Sequence, residues 1–311
     1  MKTIYNVDPR LERVWLVSFG DSRLEKSRRR LKHQALKFGF AEDHIRIFSP
    51  EDLDPVFVQE MRDHLVLGSK GFGYYCWKPR ICLDVLKEIP ADDILFYSDV
   101  GNHLNIKGKE RFYDYLDLVN DSGFCAFQAR SLLGTQKPDP RHHVFRISQF
   151  AKGDLLDYYG VRDKQEIVNS AQILGVVLFM KNCEEAMRIV EEWMDVFYKR
   201  FELIDDSPSK SPNLADFTVN RHDQAALSIL WLKRGLPTLS SCEVEPLRKY
   251  GPACKAFRRN SFWGRDWFWQ MSDCPIQARR DKGLVKFHIR LYRYIKHRIV
   301  LPYIRKWKNA K

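Results

Sequence analysis

Residues 94–101 read Ile-Leu-Phe-Tyr-Ser-Asp-Val-Gly, an apolar run that stops at an acid followed by a valine and a glycine. A short apolar run bounded by turn-forming residues is typical of a buried β-strand, and we expect one here. Polar side chains directly after such a strand lie at its carboxyl end, where α/β sheets bind ligands. Asp99 is therefore a candidate binding residue, although an acid that only caps the next turn would give the same pattern.

On both sides of this stretch, apolar runs alternate with amphipathic segments. We predict further strands over residues 14–20, 44–48, 124–129 and 173–180, and helices over residues 22–38, 54–67, 78–88, 184–201 and 223–233. Strands that alternate with helices form mainly parallel sheets covered on both faces. The sequence therefore predicts an α/β fold with a mainly parallel central sheet and helices on both faces.

The composition is that of a globular protein, with 44% hydrophobic and 30% charged residues in a chain of 311. No apolar run approaches the length of a transmembrane helix. Residues 1–13 carry charges of both signs and no apolar segment, and the seven cysteines contain no C-x-x-C pair. We therefore expect a cytoplasmic protein without a secretory signal.

The net charge of +12 is concentrated at one end of the chain. Residues 279–311 contain twelve Lys or Arg and one acid, so residues 1–278 are nearly neutral. We expect two regions, a catalytic domain over residues 1–278 and a basic helical tail over residues 279–311.

The tail has the pattern of an amphipathic helix. Apolar residues recur every three or four positions at Leu284, Phe287, Leu291, Ile295 and Ile299, with basic residues between them. Such a segment, which also contains Tyr and Trp, favours peripheral binding to an anionic membrane surface at the inner face of the cell membrane. A helix packed on its own domain is one alternative. Nucleic-acid binding is a weaker one, because the rest of the chain adds no basic surface and no recognised motif.

A second candidate region is Gly71–Pro79, where glycines and aromatic residues precede Trp77 and Lys78. Glycines let the backbone approach a ligand, and a lysine can bind phosphate. The spacing differs from that of a P-loop. A tight loop with a core tryptophan explains the pattern equally well.

Three other polar groups are placed where they could reach the same site. Gln172 leads into the most apolar run, His222 and Asp223 open a predicted helix, and Asp154 lies in a polar turn. Asp223 would also be favourable simply as an acid at a helix N-terminus.

In order along the chain, four stretches resemble GT-A type glycosyltransferases of bacterial lipopolysaccharide, O-antigen and capsule synthesis. They are GFGYYCWKPRICLDVLKEIPADDILFYSDVG (71–101), KGDLLDYYGV (152–161), NSAQILGVVLFMKN (169–182) and RHDQAALSILWLKRG (221–235). They span about a quarter of residues 1–278, and it is their combination that carries the resemblance.

The resemblance implies a GT-A-like, Rossmann-related fold, a hexosyltransferase-like activity and a nucleotide-diphospho-sugar donor, with a saccharide or lipid-linked saccharide as acceptor. Trp77, Lys78, Asp99, Gly101 and His222 would then bind the donor. Asp99 stands where such enzymes begin a D-x-D motif that holds Mn²⁺ or Mg²⁺, but Gly101 replaces the second acid. The divalent metal therefore needs another ligand, or Lys and Arg neutralise the diphosphate instead.

The resemblance also suggests candidates for catalysis. Asp223, or else Asp154, would accept the acceptor's proton in an inverting transfer, whereas Gln172 would support the departing sugar in a retaining one. Two other functions compete with this interpretation. One is a sugar nucleotidyltransferase, although the expected glycine-rich loop is missing after residues 14–20; the other is a non-catalytic protein that binds nucleic acid or a partner through the tail.

Deletion of residues 279–311 is expected to reduce binding to anionic vesicles, because each basic residue near such a surface contributes about 1 kcal/mol. Vesicle co-sedimentation of the full and shortened chains measures this, with neutral vesicles as the control. Equal binding of both chains to anionic vesicles would contradict a membrane role for the tail.

Overall fold

The computed structural model describes residues 5–129, 145–244 and 274–278. The predicted basic tail, residues 279–311, lies outside the described residues. The division of the chain into a domain over residues 1–278 and this tail therefore stays a prediction.

The described strands form one six-stranded sheet and one two-stranded sheet. The larger sheet has the order β2-β1-β3-β6-β5-β7, and the smaller one pairs β4 with β8. The strands are β1 (Val14–Phe19), β2 (Ile45–Phe48), β3 (Ile94–Ser98), β4 (His103–Leu104), β5 (Phe124–Gln128), β6 (Ile173–Lys181), β7 (Thr238–Ser240) and β8 (Ile276–Gln277). In the larger sheet β6 is antiparallel to its neighbours β3 and β5, whereas the β1–β2, β1–β3 and β5–β7 pairs are parallel.

Helices connect most of these strands. They are α1 (Glu25–Phe38), α2 (Pro55–Glu60), α3 (Gly71–Tyr74), α4 (Trp77–Glu88), α5 (Lys109–Ser122), α6 (Ile147–Phe150), α7 (Gly153–Tyr158), α8 (Gln165–Val168), α9 (Glu184–Lys199) and α10 (Asp223–Lys233). No helix of the described residues is both long and apolar enough to span a membrane.

The strands bury both of their faces. Because side chains alternate along a strand, Leu95 and Tyr97 join the core under α4, α9 and α10, and Phe96 joins a second core under α1 and α5. This explains why β3 is continuously apolar instead of alternating with polar residues. The predicted fold class, a mainly parallel α/β sheet with helices on both faces, is confirmed.

Some element boundaries differ from the prediction. The helix predicted over residues 54–67 ends at Glu60, where the Met61 carbonyl accepts hydrogen bonds from the His64 and Leu65 N–H groups in a turn. The antiparallel direction of β6 was not predicted, since an apolar run has no directional signal. The helix α5 and the short strand β7 were not predicted either.

Phe179 tests the packing of the second core. Its fully buried ring stacks on Phe96 with centroids 4.5 Å apart and meets Phe112 edge-on. Phe179→Ala is expected to lower the free energy of unfolding by about 3–5 kcal/mol, because it leaves a cavity. Urea denaturation measures this, with Val56→Ala, at a residue 63% exposed, as the control expected to change stability by less than about 0.5 kcal/mol. A loss of stability for Phe179→Ala no larger than that of the control would contradict this packing.

Candidate functional site

The candidate site lies at the carboxyl end of β3. The chain leaves the strand at Ser98, and the Asp99 N–H donates to the Val176 carbonyl of β6 at 2.9 Å. The Asn102 side-chain amide donates to the same carbonyl and to Ser98 Oγ, and the buried Arg30 guanidinium donates to the carbonyls of Val100 and Asn102. The turn that carries Asp99 is therefore held from both sides.

Lys78, in the first turn of α4, joins this turn to two other elements. Its Nζ lies 2.8 Å from Asp223 Oδ2, 2.9 Å from the Gly175 carbonyl oxygen and 3.7 Å from Asp99 Oδ1. The side chains of Lys78 and Asp223 are 4% and 5% exposed, whereas that of Asp99 is 35% exposed. One oxygen of Asp99 also accepts a hydrogen bond of 2.6 Å from the Tyr97 hydroxyl. Asp99 is thus the most exposed member of this cluster.

The sequence before α4 explains how Lys78 comes to be buried there. Phe72, Gly73, Tyr74 and Tyr75 all have positive φ, and the resulting tight turn places α4 with its N-terminus at the sheet edge. At Gly73 a Cβ atom would lie 3.1 Å from the His64 carbonyl oxygen, so both the crowding and the positive φ favour glycine.

The charges of the cluster stabilise one another. Burial opposes a charge on Lys78, but the carboxylates of Asp223 and Asp99 more than offset this and raise the pKa of the ammonium. Burial raises the pKa of Asp223 to about 6, and the Lys78 ammonium limits that rise. Lys78 is therefore protonated at neutral pH, and the pKa of Asp223 lies about one unit below neutral pH.

Asp223 begins α10, and the backbone just before it is strained. His222 has φ 56° and ψ −128°, and its buried ring donates through Nδ1 to the Ile204 carbonyl at 2.5 Å. Burial lowers the pKa of His222, so the ring is neutral at pH 7. This anchor fixes the position at which α10 starts and so the position of Asp223.

A buried amide pair lies beside the cluster. Gln224 Nε2 donates to Gln172 Oε1 at 3.0 Å, while Gln172 Nε2 has no hydrogen-bond partner among the described residues although the residue is 1% exposed. At Gly175, between the two groups, a Cβ would lie 3.6 Å from Lys78 Nζ, Asp223 Oδ2 and Gln224 Cβ. A buried amide with an unused donor is costly, and a ligand hydroxyl would satisfy it.

The structure places three other residues that were predicted for the site in packing or turn positions. Trp77 is buried against Phe19 with ring centroids 4.0 Å apart, and its Nε1 donates to the Gly71 carbonyl. Asp154 Oδ2 accepts from the Lys210 N–H, so this carboxylate holds the loop after α9. Gly101 lies in the turn after Asp99 and has no side chain to offer a ligand.

The structure brings together Lys78, Asp99, Asp223 and Gln172 from four separate stretches of the sequence. Sequence reasoning missed Tyr97, Gly175 and the role of Gln224 in orienting Gln172. Tyr97 could have been found, because alternation along β3 places it on the same face as Asp99. The contact at Gly175 had no signal in the sequence, since it depends on how α10 crosses β6.

The metal expected from the resemblance does not fit this donor set. No group of three or more His, Cys, Asp or Glu side chains that could hold a metal occurs in residues 5–129, 145–244 and 274–278. Asp99 and Asp223 are the carboxylates of the cluster, and the ammonium of Lys78 lies between them. A divalent ion at Asp99 would lie close to that positive charge, so we assign no step to a metal.

The buried ion pair gives a direct stability test. Lys78→Met keeps the volume of the side chain but leaves the Asp223 carboxylate without a partner, which is expected to cost about 3–5 kcal/mol of unfolding free energy. Chemical denaturation measures this, and adding Asp223→Asn is expected to restore part of the loss. The matched control is Lys70→Met, because Lys70 pairs with Asp206 at 2.9 Å on the surface and should contribute about 0–1 kcal/mol. Equal effects of the two Lys→Met changes would contradict a buried charge cluster.

No family model matches the chain, and no curated protein matches it in sequence. Several solved structures in which the chain follows a similar path are glycosyltransferases. Mouse xyloside xylosyltransferase 1 matches with a TM-score of 0.39 and 12% identity, over 88% of this chain and 100% of its own.

Two further structures match to a similar degree. A glycosyltransferase involved in the glycosylation of the major capsid of PBCV-1 has a TM-score of 0.41 and 9% identity, over 85% of this chain and 91% of its own. The galactosyltransferase LgtC, whose structure holds donor and acceptor sugar analogues, has a TM-score of 0.41 and 12% identity, over 84% of this chain and 85% of its own. At such scores the likeness is too distant to assign the chain to a family or an activity.

Proposed function

We propose that the protein is a glycosyltransferase that moves a sugar from a nucleotide-diphospho-sugar to a saccharide acceptor. The observation that carries the proposal is the combination at one sheet edge of an exposed carboxylate, Asp99, with the buried amide of Gln172, whose donor no described residue uses. Carboxylates and amides that converge at the carboxyl end of a strand are suited to the hydroxyl groups of a ribose and a sugar.

Each residue has a role that its surroundings support. Asp99 accepts hydrogen bonds from the ribose hydroxyls of the donor, and the Gln172 amide donates to the sugar that is transferred. With a pKa of about 6, Asp223 is suited to take up the acceptor's proton near neutral pH if the transfer inverts the anomeric centre. Asp154 is the poorer candidate for this step because it lies apart from the Lys78 cluster, and its Oδ2 accepts from the Lys210 N–H of the loop after α9.

The leaving diphosphate needs positive charge, and two arginines close to Gln172 can supply it. Arg146 and Arg221 are exposed and form no ion pair with other described residues. The Phe145 carbonyl, next to Arg146, accepts from the Gln172 N–H at 2.8 Å, and the Arg221 guanidinium lies over the Phe150 ring. These contacts keep both arginines near the start of β6.

The biological setting is part of the same proposal. A hexosyl transfer to a lipid-linked acceptor in bacterial surface polysaccharide synthesis would take place at the inner face of the cell membrane. The basic tail, residues 279–311, would bring the site to such an acceptor by binding anionic lipid.

A thermal-shift screen against UDP-, GDP-, CMP- and dTDP-sugars tests the proposed function. One nucleotide-sugar at a hundredfold excess over its Kd is expected to stabilise the protein by about 2.7 kcal/mol. Asp99→Ala should lose this shift. Asp117→Asn should keep it, because Asp117 lines a cleft beside the first residues of β1 and β3, at the opposite edge of the sheet.

Turnover with the donor found in this way tests the role of Asp223. Asp223→Asn is expected to keep donor binding but lower kcat by about 10²–10⁴-fold. In the unmodified protein kcat/KM should decrease as the pH is lowered below about 6, because a protonated Asp223 cannot accept a proton. The absence of any thermal shift with all four classes of nucleotide-sugar would overturn the proposed function.

A further inference from the structure

Three oxygen atoms from three different elements surround the ammonium of Lys78. They are Asp223 Oδ2 at 2.8 Å, the Gly175 carbonyl oxygen at 2.9 Å and Asp99 Oδ1 at 3.7 Å. Two carboxylates and a carbonyl are the kind of ligands that hard cations such as Mg²⁺, Ca²⁺ and Mn²⁺ prefer in proteins. The arrangement is therefore that of a cation site in which the cation belongs to the protein itself.

Aromatic rings complete the surroundings of this ammonium. The ring centroids of Tyr75, Tyr97 and Trp77 lie 5.0, 5.2 and 5.9 Å from Lys78 Nζ. Rings at such distances attract a cation, and they also exclude water from it. The side chain of Lys78 is 4% exposed, so neither solvent nor a metal ion displaces it readily.

The open oxygen of Asp99 fits the same interpretation. Asp99 Oδ1 is engaged by the Tyr97 hydroxyl and faces the Lys78 ammonium, whereas Oδ2 receives no hydrogen bond from the residues that the structure describes. Gly101, two residues on, adds no second carboxylate. Among the described residues, Asp99 therefore has one oxygen left for a ligand hydroxyl, and the Lys78 ammonium offsets the negative charge that a divalent ion would need.

We propose that Lys78 is a built-in cation that occupies the metal position between Asp99 and Asp223, so that the site takes its nucleotide-sugar without a divalent metal. The part about the donor rests on the function proposed above. The part about the cation does not, because it concerns the free protein alone.

Titration of the free protein with Mn²⁺, followed by electron paramagnetic resonance, tests the cation part. The unmodified chain is expected to bind no Mn²⁺ at this site. Lys78→Ala, which removes the ammonium and opens space for a hydrated ion, is expected to gain one bound Mn²⁺ per chain and to be stabilised by it in thermal denaturation. Lys78→Ala with Asp223→Asn should lose that gain, and Lys70→Ala, which removes an exposed lysine from an ion pair, should behave like the unmodified protein.

Two results of this titration would overturn the proposal. One is stoichiometric Mn²⁺ binding by the unmodified protein that disappears in Asp99→Ala. The other is a folded Lys78→Ala variant that gains no Mn²⁺ site. If Lys78→Ala does not fold in the presence or absence of Mn²⁺, the titration of the unmodified protein and of Asp99→Ala decides the question.

Donor binding with and without EDTA tests the second part of the proposal, that the nucleotide-sugar binds without a divalent metal. A thermal shift with a nucleotide-sugar that is unchanged by EDTA supports the proposal, and a shift that EDTA abolishes and Mn²⁺ restores contradicts it. If no nucleotide-sugar gives a shift, the proposed function fails, while the Mn²⁺ titration still decides whether Lys78 occupies a cation site.

Discussion

The ion pair between Lys78 and Asp223 is the interaction on which the site depends. It joins the first turn of α4 to the first turn of α10. Lys78 Nζ also donates to the Gly175 carbonyl, which ties both helices to β6. A buried ammonium and a buried carboxylate are each costly without a partner, so the two helix N-termini are held together by more than apolar packing. The same strand fixes the position of Asp99, because the Asp99 N–H donates to the carbonyl of Val176, the residue after Gly175 in β6.

This arrangement divides the polar groups into those that hold the site and those that meet a ligand. His222 and Trp77 belong to the first kind, since His222 Nδ1 and Trp77 Nε1 donate to backbone carbonyls of nearby loops. Asp154 also holds a loop, through Oδ2, which accepts from the Lys210 N–H. Asp99 and Gln172 belong to the second, because Asp99 has an oxygen and Gln172 an amide donor that no other residue in the described part of the chain uses. A site with fixed walls and few free polar groups selects a ligand by the placement of its hydroxyls.

Much of the fold could be predicted from the sequence, because it depends on local patterns. The strands around Leu16, Phe96 and Val177 are marked by short apolar runs, and α9 is marked by its apolar spacing. The helix after Asp54 was predicted too long, since the apolar residues Leu65 to Leu67 continue the pattern although the chain has already turned. The direction of β6 could not be predicted, because the direction of a strand depends on the connections before and after it.

By itself, the sequence determined that polar residues stand at the ends of apolar strands and at the starts of helices, and it therefore pointed to Asp99, Lys78, Gln172 and Asp223 as separate candidates. Only the tertiary structure decided that they meet, that Lys78 is buried between the two carboxylates, and that Trp77 belongs to the core. The physical reason is that an ion pair between residues 145 positions apart depends on how α10 packs across β6. The burial that raises the pKa of Asp223 is likewise created by distant parts of the chain.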